Sequence, residues 1–382
     1  MTPRRRWWVV SDLHLGTGEP DVRCTSAAFV QFLEGVVAAT GPSDMTTLVL
    51  LGDALELRAR TGRGARARVD DLAAAHPEVF AALRRCLGAG VQLDIVVGNH
   101  DVDLVRPAAA QRLGELLGVR GDGLRIHPWA LHVPGVLFAE HGHQHHAVHR
   151  LPTLLLAAVD DDTTVEPSPL TAWAARRGGP REAVMAVCRA LAAARAAERR
   201  AGSAAYQRVL AAEAARLGLR PETARDLWRV SRFRLVPVAA ATGWRLLRRL
   251  LARLVARLAA RLATPLVTRR GGAAHRVATG PPPHSAQIAL TLAAHGAPVA
   301  WYLCGHTHRA AEAPITGTTT RWANSGTWCS DIRGAGPDLD DPRLFPVVLI
   351  DADGDGSVQG GLEYWRVPAA VPPRHTPERL SG

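Results

Sequence analysis

The segment Trp7-Trp8-Val9-Val10-Ser11-Asp12-Leu13-His14 carries the pattern on which the fold of this chain is read. Four large apolar or β-branched residues read as a buried strand, and two metal-competent side chains, Asp12 and His14, follow at once. The pattern recurs four times. Residues 48–51 run into Gly52-Asp53, and residues 93–97 into Gly98-Asn99-His100-Asp101. Residues 136–139 run towards His141, and residues 299–303 into Gly305-His306-Thr307-His308. Five strand ends of this kind can converge on one edge of a sheet and compose a polynuclear metal site there.

Composition sets the bounds. A chain of 382 residues with 47% hydrophobic content holds one large α/β domain or two ordinary ones. The cysteines Cys24, Cys86, Cys188, Cys304 and Cys329 are scattered without CxxC spacing. That fits a reducing compartment and offers neither a disulfide framework nor a zinc ribbon. The apolar run behind residues 1–6 is too short for a signal peptide and reads as the first strand. No stretch of 18 uncharged apolar residues occurs, so a cytoplasmic chain without a membrane span is expected. The formal charge is +11, and all 46 basic residues are Arg in a sequence rich in Ala, Gly and Pro. Arg in place of Lys follows coding bias and carries no function. Its distribution is more telling: residues 145–285 hold 24 Arg against nine acidic residues, and the remainder holds 22 against 26. The basic character lives in one segment.

Residues 1–143 alternate strand and helix signals, with helices expected near 25–39, 69–87 and 107–117. This alternation implies βαβ units whose ligand loops lie at the carboxyl ends of the strands. Residues 145–285 are rich in Ala, Arg and Leu and read as helical. Strand signals return at 299–303, 319–323, 345–350 and 362–367, after the run Pro281-Pro282-Pro283. The organisation expected is therefore one catalytic domain in two parts, 1–144 and 286–370. A basic helical insertion or lid, 145–285, interrupts it, and a tail, 371–382, follows.

The five blocks, in this order and each behind a strand, resemble those of the calcineurin-like metallophosphoesterase superfamily. The resemblance covers about 1–143 and 286–370 and leaves the insertion unmatched. It implies an α/β fold, a four-layer α-β-β-α sandwich with an inserted all-helical segment, and a metal-dependent phosphoric ester hydrolase. Carried across position by position, one ion takes Asp12, His14, Asp53 and His308. A second takes Asp53, Asn99, His141 and His306, with Asp53 bridging the two. Mixed imidazole, carboxylate and amide ligands suit Mn2+, Fe2+, Zn2+ or Co2+, with Mn2+ favoured. Such a pair of ions supplies a bridging hydroxide near neutral pH. His100 resembles the imidazole that protonates the leaving oxygen, and Asp101 then orients His100 or a ligand. A plain loop or cap role is the alternative for Asp101. Glu56 lies either near the site or in a first helical turn, where a carboxylate suits the dipole. Asn324-Ser325-Gly326-Thr327-Trp328 resembles the turn that follows the last block and is expected to close the pocket. His143 reads as a substrate contact or an outer support. His145, His146 and His149 read as solvated, and His127, His132, His275, His284 and His295 as structural.

Residues 244–262, WRLLRRLLARLVARLAARL, place Leu246, Leu250, Leu254, Leu258 and Leu262 on one stripe and Arg245, Arg249, Arg253, Arg257 and Arg261 on another. This is an amphipathic basic helix. It reads either as an interfacial helix on an anionic membrane, peripheral on the inner face of the plasma membrane, or as a helix packing its Leu face on the catalytic domain. A nucleic-acid partner rests on charge alone, without a binding motif. The insertion, the Gly52-Asp53-x-x-Glu56 block and the Asn–Trp turn also resemble the subgroup that hydrolyses the pyrophosphate of UDP-2,3-diacylglucosamine. That subgroup carries Arg at the position of His100 and His-Gly-Asp at His141-Gly142-His143, and its insertion is shorter. The substrate is thus expected to be a phosphomonoester, phosphodiester or pyrophosphate, lipid-linked substrates included. A nuclease or cyclic-nucleotide phosphodiesterase of the same superfamily, and a non-catalytic membrane-associated scaffold, are the alternatives.

Overall fold

A computed structural model describes residues 3–17, 26–57, 64–119, 121–146, 149–151, 154, 180–218, 280–329 and 344–367. The chain divides into two compact units, the first formed by Met1–His145, His149–Glu166 and Thr279–Gly382, the second by His146–Val148 and Pro167–Ala278.

The first unit is α/β, built on two mixed sheets. Sheet one contains β1 (Arg5–Val10), β2 (Met45–Leu51), β3 (Gln92–Val96), β4 (Leu124–His127), β10 (Leu344–Ala352) and β11 (Val358–Arg366), in the order β11-β10-β1-β2-β3-β4. β1 through β4 run parallel, and β10 pairs antiparallel with β1 and with β11. Sheet two contains β5 (Ala130–Val133), β6 (Leu137–Glu140), β7 (Trp301–Cys304), β8 (Ala310–Pro314) and β9 (Arg321–Ser325), in the order β5-β6-β7-β9-β8. Its central strands β6, β7 and β9 are parallel.

Strand alternation divides the core. On sheet one, Val10, Leu48, Leu50, Leu93, Ile95, Phe345 and Val347 face a cluster shared with three helices. These are α1 (Ser26–Ala38), α3 (Pro77–Gly88) and α4 (Pro107–Leu117), with α2 (Ala65–Ala75) alongside. The intervening residues Trp7, Val9, Val49, Leu51, Val96, Val348 and Ile350 face a second cluster with Leu131, Leu137, Ala139, Trp301, Leu303 and Ala323 of sheet two. Tyr302, Cys304 and Trp322 point from the opposite side of sheet two towards Ala289 of α6 (Pro283–Ala294). A period of two on each strand thus serves two buried faces. Each fully buried large side chain contributes about 1.5–3 kcal/mol.

Helix ends follow local chemistry. Pro77 and Pro107 occupy first-turn positions where the missing N–H costs nothing, and Gly118 ends α4 in the left-handed conformation (φ 66°). The helix expected over 69–87 is two helices, parted at His76-Pro77. Pro77 cannot donate into the preceding turn, and the His76 ring turns inward, with Nε2 2.7 Å from the Gly16 carbonyl oxygen. Strands β4, β5 and β8 lack the apolar runs of their neighbours. All three are edge strands, half-exposed, and carry Arg125, His132 and Glu312 in place of continuous hydrophobes.

Of the second unit, His146 and residues 180–218 are described. Residues 180–216 form α5 (Pro180–Arg216), broken at Ala201 and Gly202, with Ala186, Ala190, Ala194 and Ala197 buried along one stripe. The basic stretch 244–262 and the tail 371–382 lie outside the described residues. No helix among the described residues is long and apolar enough to cross a membrane. Cys86, Cys304 and Cys329 are free thiols buried in the first unit.

Candidate metal centre

Parallel strands place their carboxyl ends on one side of a sheet, where ligands of open α/β sheets gather. Here β1, β2 and β3 of sheet one and β6 and β7 of sheet two end beside one another. Asp12 and His14 follow β1, Asp53 follows β2, and Asn99 and His100 follow β3. His141 follows β6, and His306 and His308 follow β7. The pairing of β1 with β2 continues past the strands themselves. Asp12 N–H donates to Gly52 O (3.0 Å), His14 N–H to Asp53 O (2.9 Å) and Leu15 N–H to Ala54 O (3.0 Å).

The backbone at this edge is unusual. Among the described residues, the non-glycine positions with positive φ are Asp12 (54°), His14 (48°), Asp53 (52°), His306 (66°) and His308 (60°). All five are expected ligands. Left-handed geometry costs a residue with a Cβ about 1 kcal/mol or more, and such strain gathers at functional sites. Glycine makes room for the same side chains: a Cβ on Gly52 would collide with the His141 ring, and one on Gly98 with the Asp53 carboxylate.

Two triads result. Ligand atoms of Asp12, His14 and His308 lie within 4.8 Å of one another, as do those of Asp53, His141 and His306. Asp53 also groups with His14 and His100. His308 Nε2 is 3.0 Å from Asp12 Oδ1, His14 Nε2 is 3.4 Å from His308 Nε2, and His141 Nε2 is 3.2 Å from Asp53 Oδ2. Asn99 is buried between Gly98 and His100, and the His100 N–H donates to Asp53 Oδ1 (2.7 Å).

Electrostatics follow from burial. Asp12 and Asp53 are 0% and 1% exposed, and an unpaired buried carboxylate is costly. Burial alone would raise Asp12, but His308 and His141 outweigh it and hold the carboxyl below its usual value. Burial likewise opposes Asp53 ionisation, and His141 and His100 overcome it, so Asp53 lies well below the carboxylate range. In return, burial would lower His141, yet Asp53 and Asp12 push it up to about 10. Despite these short distances, Asp12 Oδ1 and His141 Nε2 are buried without a hydrogen bond. Their lone pairs face shared space, and separations of 3.0–3.4 Å match the edges of a coordination polyhedron with bonds of about 2.1 Å. The donor set therefore fits divalent cations.

Supporting residues are now identifiable. Glu56 Oε2 lies 2.6 Å from His100 Nδ1 and 3.5 Å from His14 Nδ1, so Glu56 belongs to the site. The Asp101 carboxylate accepts from the backbone N–H groups of Gly98 (2.7 Å) and Ala54 (2.9 Å), tying the β3 loop to the residue after Asp53. Burial, then the charge of Asp53, pushes Asp101 up to about 6. Ser11 Oγ donates to Asp12 Oδ2 (2.5 Å), Ser325 Oγ donates to Ser11 Oγ (2.7 Å), and Thr327 Oγ1 donates to Asp12 O (2.8 Å). Asn324 Nδ2 donates to Gly305 O (2.7 Å). The 324–328 turn thus clamps the loops after β1 and β7, and Trp328 anchors it among Phe29, Phe32 and Phe345. Ser11 carries no sequence signal beyond its closeness to the first block, whereas Ser325 and Thr327 lie in the turn expected to close the pocket. His143 is buried with neither ring nitrogen hydrogen-bonded, its ring 5.5 Å from that of His141. Burial, and then the charge of His141, holds it well below the usual histidine value.

No protein-family model matches the chain, and no curated protein matches it by sequence. Among the solved structures similar to it are two described as follows. One is a conserved uncharacterized protein of Streptococcus pneumoniae TIGR4, a predicted phosphoesterase, with 10% identity over 96% of this chain and 91% of that one and a TM-score of 0.30. The other is the phosphopantetheinyl hydrolase of Mycobacterium tuberculosis, with 16% identity over 88% and 98% and a TM-score of 0.26. Likeness at this level leaves the residues themselves to carry the functional reading.

Proposed function

We propose that this chain is a metal-dependent phosphoric ester hydrolase of the calcineurin-like metallophosphoesterase type. Its helices and two sheets are read as an α-β-β-α sandwich, divided as 1–144 and 286–370 around the insertion 145–285. The observation that carries the reading is the convergence of Asp12, His14, Asp53, His141, His306 and His308 in two buried triads on one strand edge. Asp53, grouped with residues of both sheets, is the natural bridging ligand, and Asn99 completes the second set. When bound, two cations, Mn2+ by preference, would acidify a water and neutralise phosphate oxygens.

The protein's own groups do the rest. Asp12 and Asp53 present fixed negative charge that a neutral substrate pocket would lack. His100 is placed to donate a proton from Nε2 to the leaving oxygen, a contribution of about 10²–10⁴-fold. Glu56, against His100 Nδ1, keeps that nitrogen protonated and the ring fixed. Asp101 sets the spacing between the Asp53 and Asn99 loops. A phosphate ester with an amphipathic or lipid-linked leaving group, met at an anionic membrane surface through 244–262, is the substrate class proposed. Binding to anionic vesicles that is lost on replacing Leu250, Leu254 and Leu258 with Ser supports that surface. A wild-type chain that never sediments with such vesicles removes it.

The reaction is tested by hydrolysis of a nitrophenyl phosphodiester and monoester by purified protein with added Mn2+. Activity that vanishes on chelation and in Asp53→Asn is expected, and rates unchanged in Asp53→Asn and His306→Ala would overturn the assignment.

A further inference from the structure

Glu140, the last residue of β6, precedes His141 and faces the other way. Alternation along the strand sends Leu137 and Ala139 into the cluster between the sheets and Phe138 to the opposite side, where Tyr302 and α6 lie. Glu140 shares that opposite side. Its carboxylate is 1% exposed and is held by two fixed donors. Tyr302 Oη donates to Oε1 (2.7 Å) and Trp129 Nε1 to Oε2 (2.8 Å). His145 Nε2 stands 2.8 Å from Oε1. His284, in the first turn of α6, stacks on His145 with ring centroids 3.7 Å apart and planes inclined by 15°. One ligand atom from each of Glu140, His145 and His284 lies within 4.8 Å of the other two.

We propose that Glu140, His145 and His284 form a mononuclear site for a divalent cation of the zinc class, separate from the strand-end centre. Two imidazoles and one carboxylate are a donor set that zinc accepts, with a fourth position open to water. Binding needs the Glu140–His145 pair to open to about 3.3 Å, a tetrahedral edge, and the two rings to fan apart. Tyr302 and Trp129 already orient the carboxylate, as outer partners of ligating groups do. His145 and His284 stand 139 residues apart in sequence, at the two ends of the basic segment 145–285. A cation there clasps the first unit at both places where the chain borders that segment.

The test uses the full chain, stripped with chelator, reloaded with Zn2+ and analysed by inductively coupled plasma mass spectrometry. An Asp53→Asn/His306→Ala background disables the strand-end centre, so failure of that centre and failure of the clasp read out separately. The background is expected to keep one equivalent of Zn2+, and adding His284→Ala to remove it with the circular dichroism spectrum unchanged. In the otherwise wild-type chain, His284→Ala loses one equivalent and retains phosphoesterase activity. Tyr302→Phe keeps all three ligands and is expected to weaken Zn2+ binding about 10–100-fold against a chromophoric chelator. Equal Zn2+ content with and without His284→Ala overturns the proposal. A background chain that holds no Zn2+ overturns it too, as does a Tyr302→Phe affinity equal to that of the parent should His284→Ala fail to fold.

Discussion

Sheet one and sheet two bring different chemistry to the same edge. Sheet one supplies Asp12, His14, Asp53 and Asn99, which include both carboxylates and the amide. Sheet two supplies His141, His306 and His308, imidazoles alone. Sheet one alone groups His14, Asp53 and His100, whereas the triads Asp12–His14–His308 and Asp53–His141–His306 each draw on both sheets. Sheet one without its partner would deprive Asp12 of His308 and His141, and Asp53 of His141, the imidazoles that weigh most against burial of each carboxylate. Much of the electrostatic balance arises where the sheets pack, and there the Asp53–His141 pair shifts both groups in opposite directions.

Four experiments test that division of labour. The largest effect is expected from Asp53→Asn, which removes the carboxylate shared between groups: kcat for a phosphodiester should fall on the order of 10³-fold or more, and bound metal should fall with it. Activity above a tenth of the parent would break the comparison. His306→Ala, on the imidazole side, should cost about 10²-fold, with part of the rate regained at high Mn2+ because both carboxylates remain. Regain in Asp53→Asn and none in His306→Ala would reverse the roles of the two sheets. His100→Ala should slow esters of poor leaving groups about 10²-fold and nitrophenyl esters far less, and Glu56→Gln should follow the same pattern at smaller amplitude. Equal losses for both leaving groups would remove the acid role.

The smallest effect concerns pH. His141 is raised from 6.5 to about 10 by Asp53 and Asp12, against burial. A raised folded value means that the stabilisation is complete below the unfolded value of 6.5 and is lost as pH climbs through about 10. The melting temperature of the chelated protein should therefore decline across that window. Metal-loaded protein, with His141 neutral as a ligand, should show a shallower decline over the same range. Identical slopes would show that Asp53 and His141 do not form the pair described.

The positions that meet at the edge were readable from the chain because each stands directly behind an apolar run, so strand and ligand share one local signal. The central strands and helices α1 and α4 were legible for the same reason. The edge strands β4, β5 and β8 were not, since a half-exposed strand needs no apolar run. The break at His76-Pro77 was hidden by helical periodicity on both sides. Which groups meet across long separations was less legible: Glu56 and the 324–328 turn were marked by their motifs, but their partners His100 and Asp12, and the contact of His145 with His284, depend on register between distant elements. Residues 244–262 show the opposite case, a strong sequence pattern that lies outside the described residues.

Chain order gives the two-sheet arrangement a consequence in biosynthesis. Asp12, Asp53, Asn99 and His141 leave the ribosome well before His306 and His308. At about 5–20 residues per second, the stretch from His141 to His306 takes on the order of 10–30 s to make. Throughout that interval β1 also lacks β10, its neighbour on one side, so an open strand edge flanks two carboxylates that still lack His306 and His308. The donor set is therefore completed late, only after His306 and His308 have joined ligand candidates made long before them.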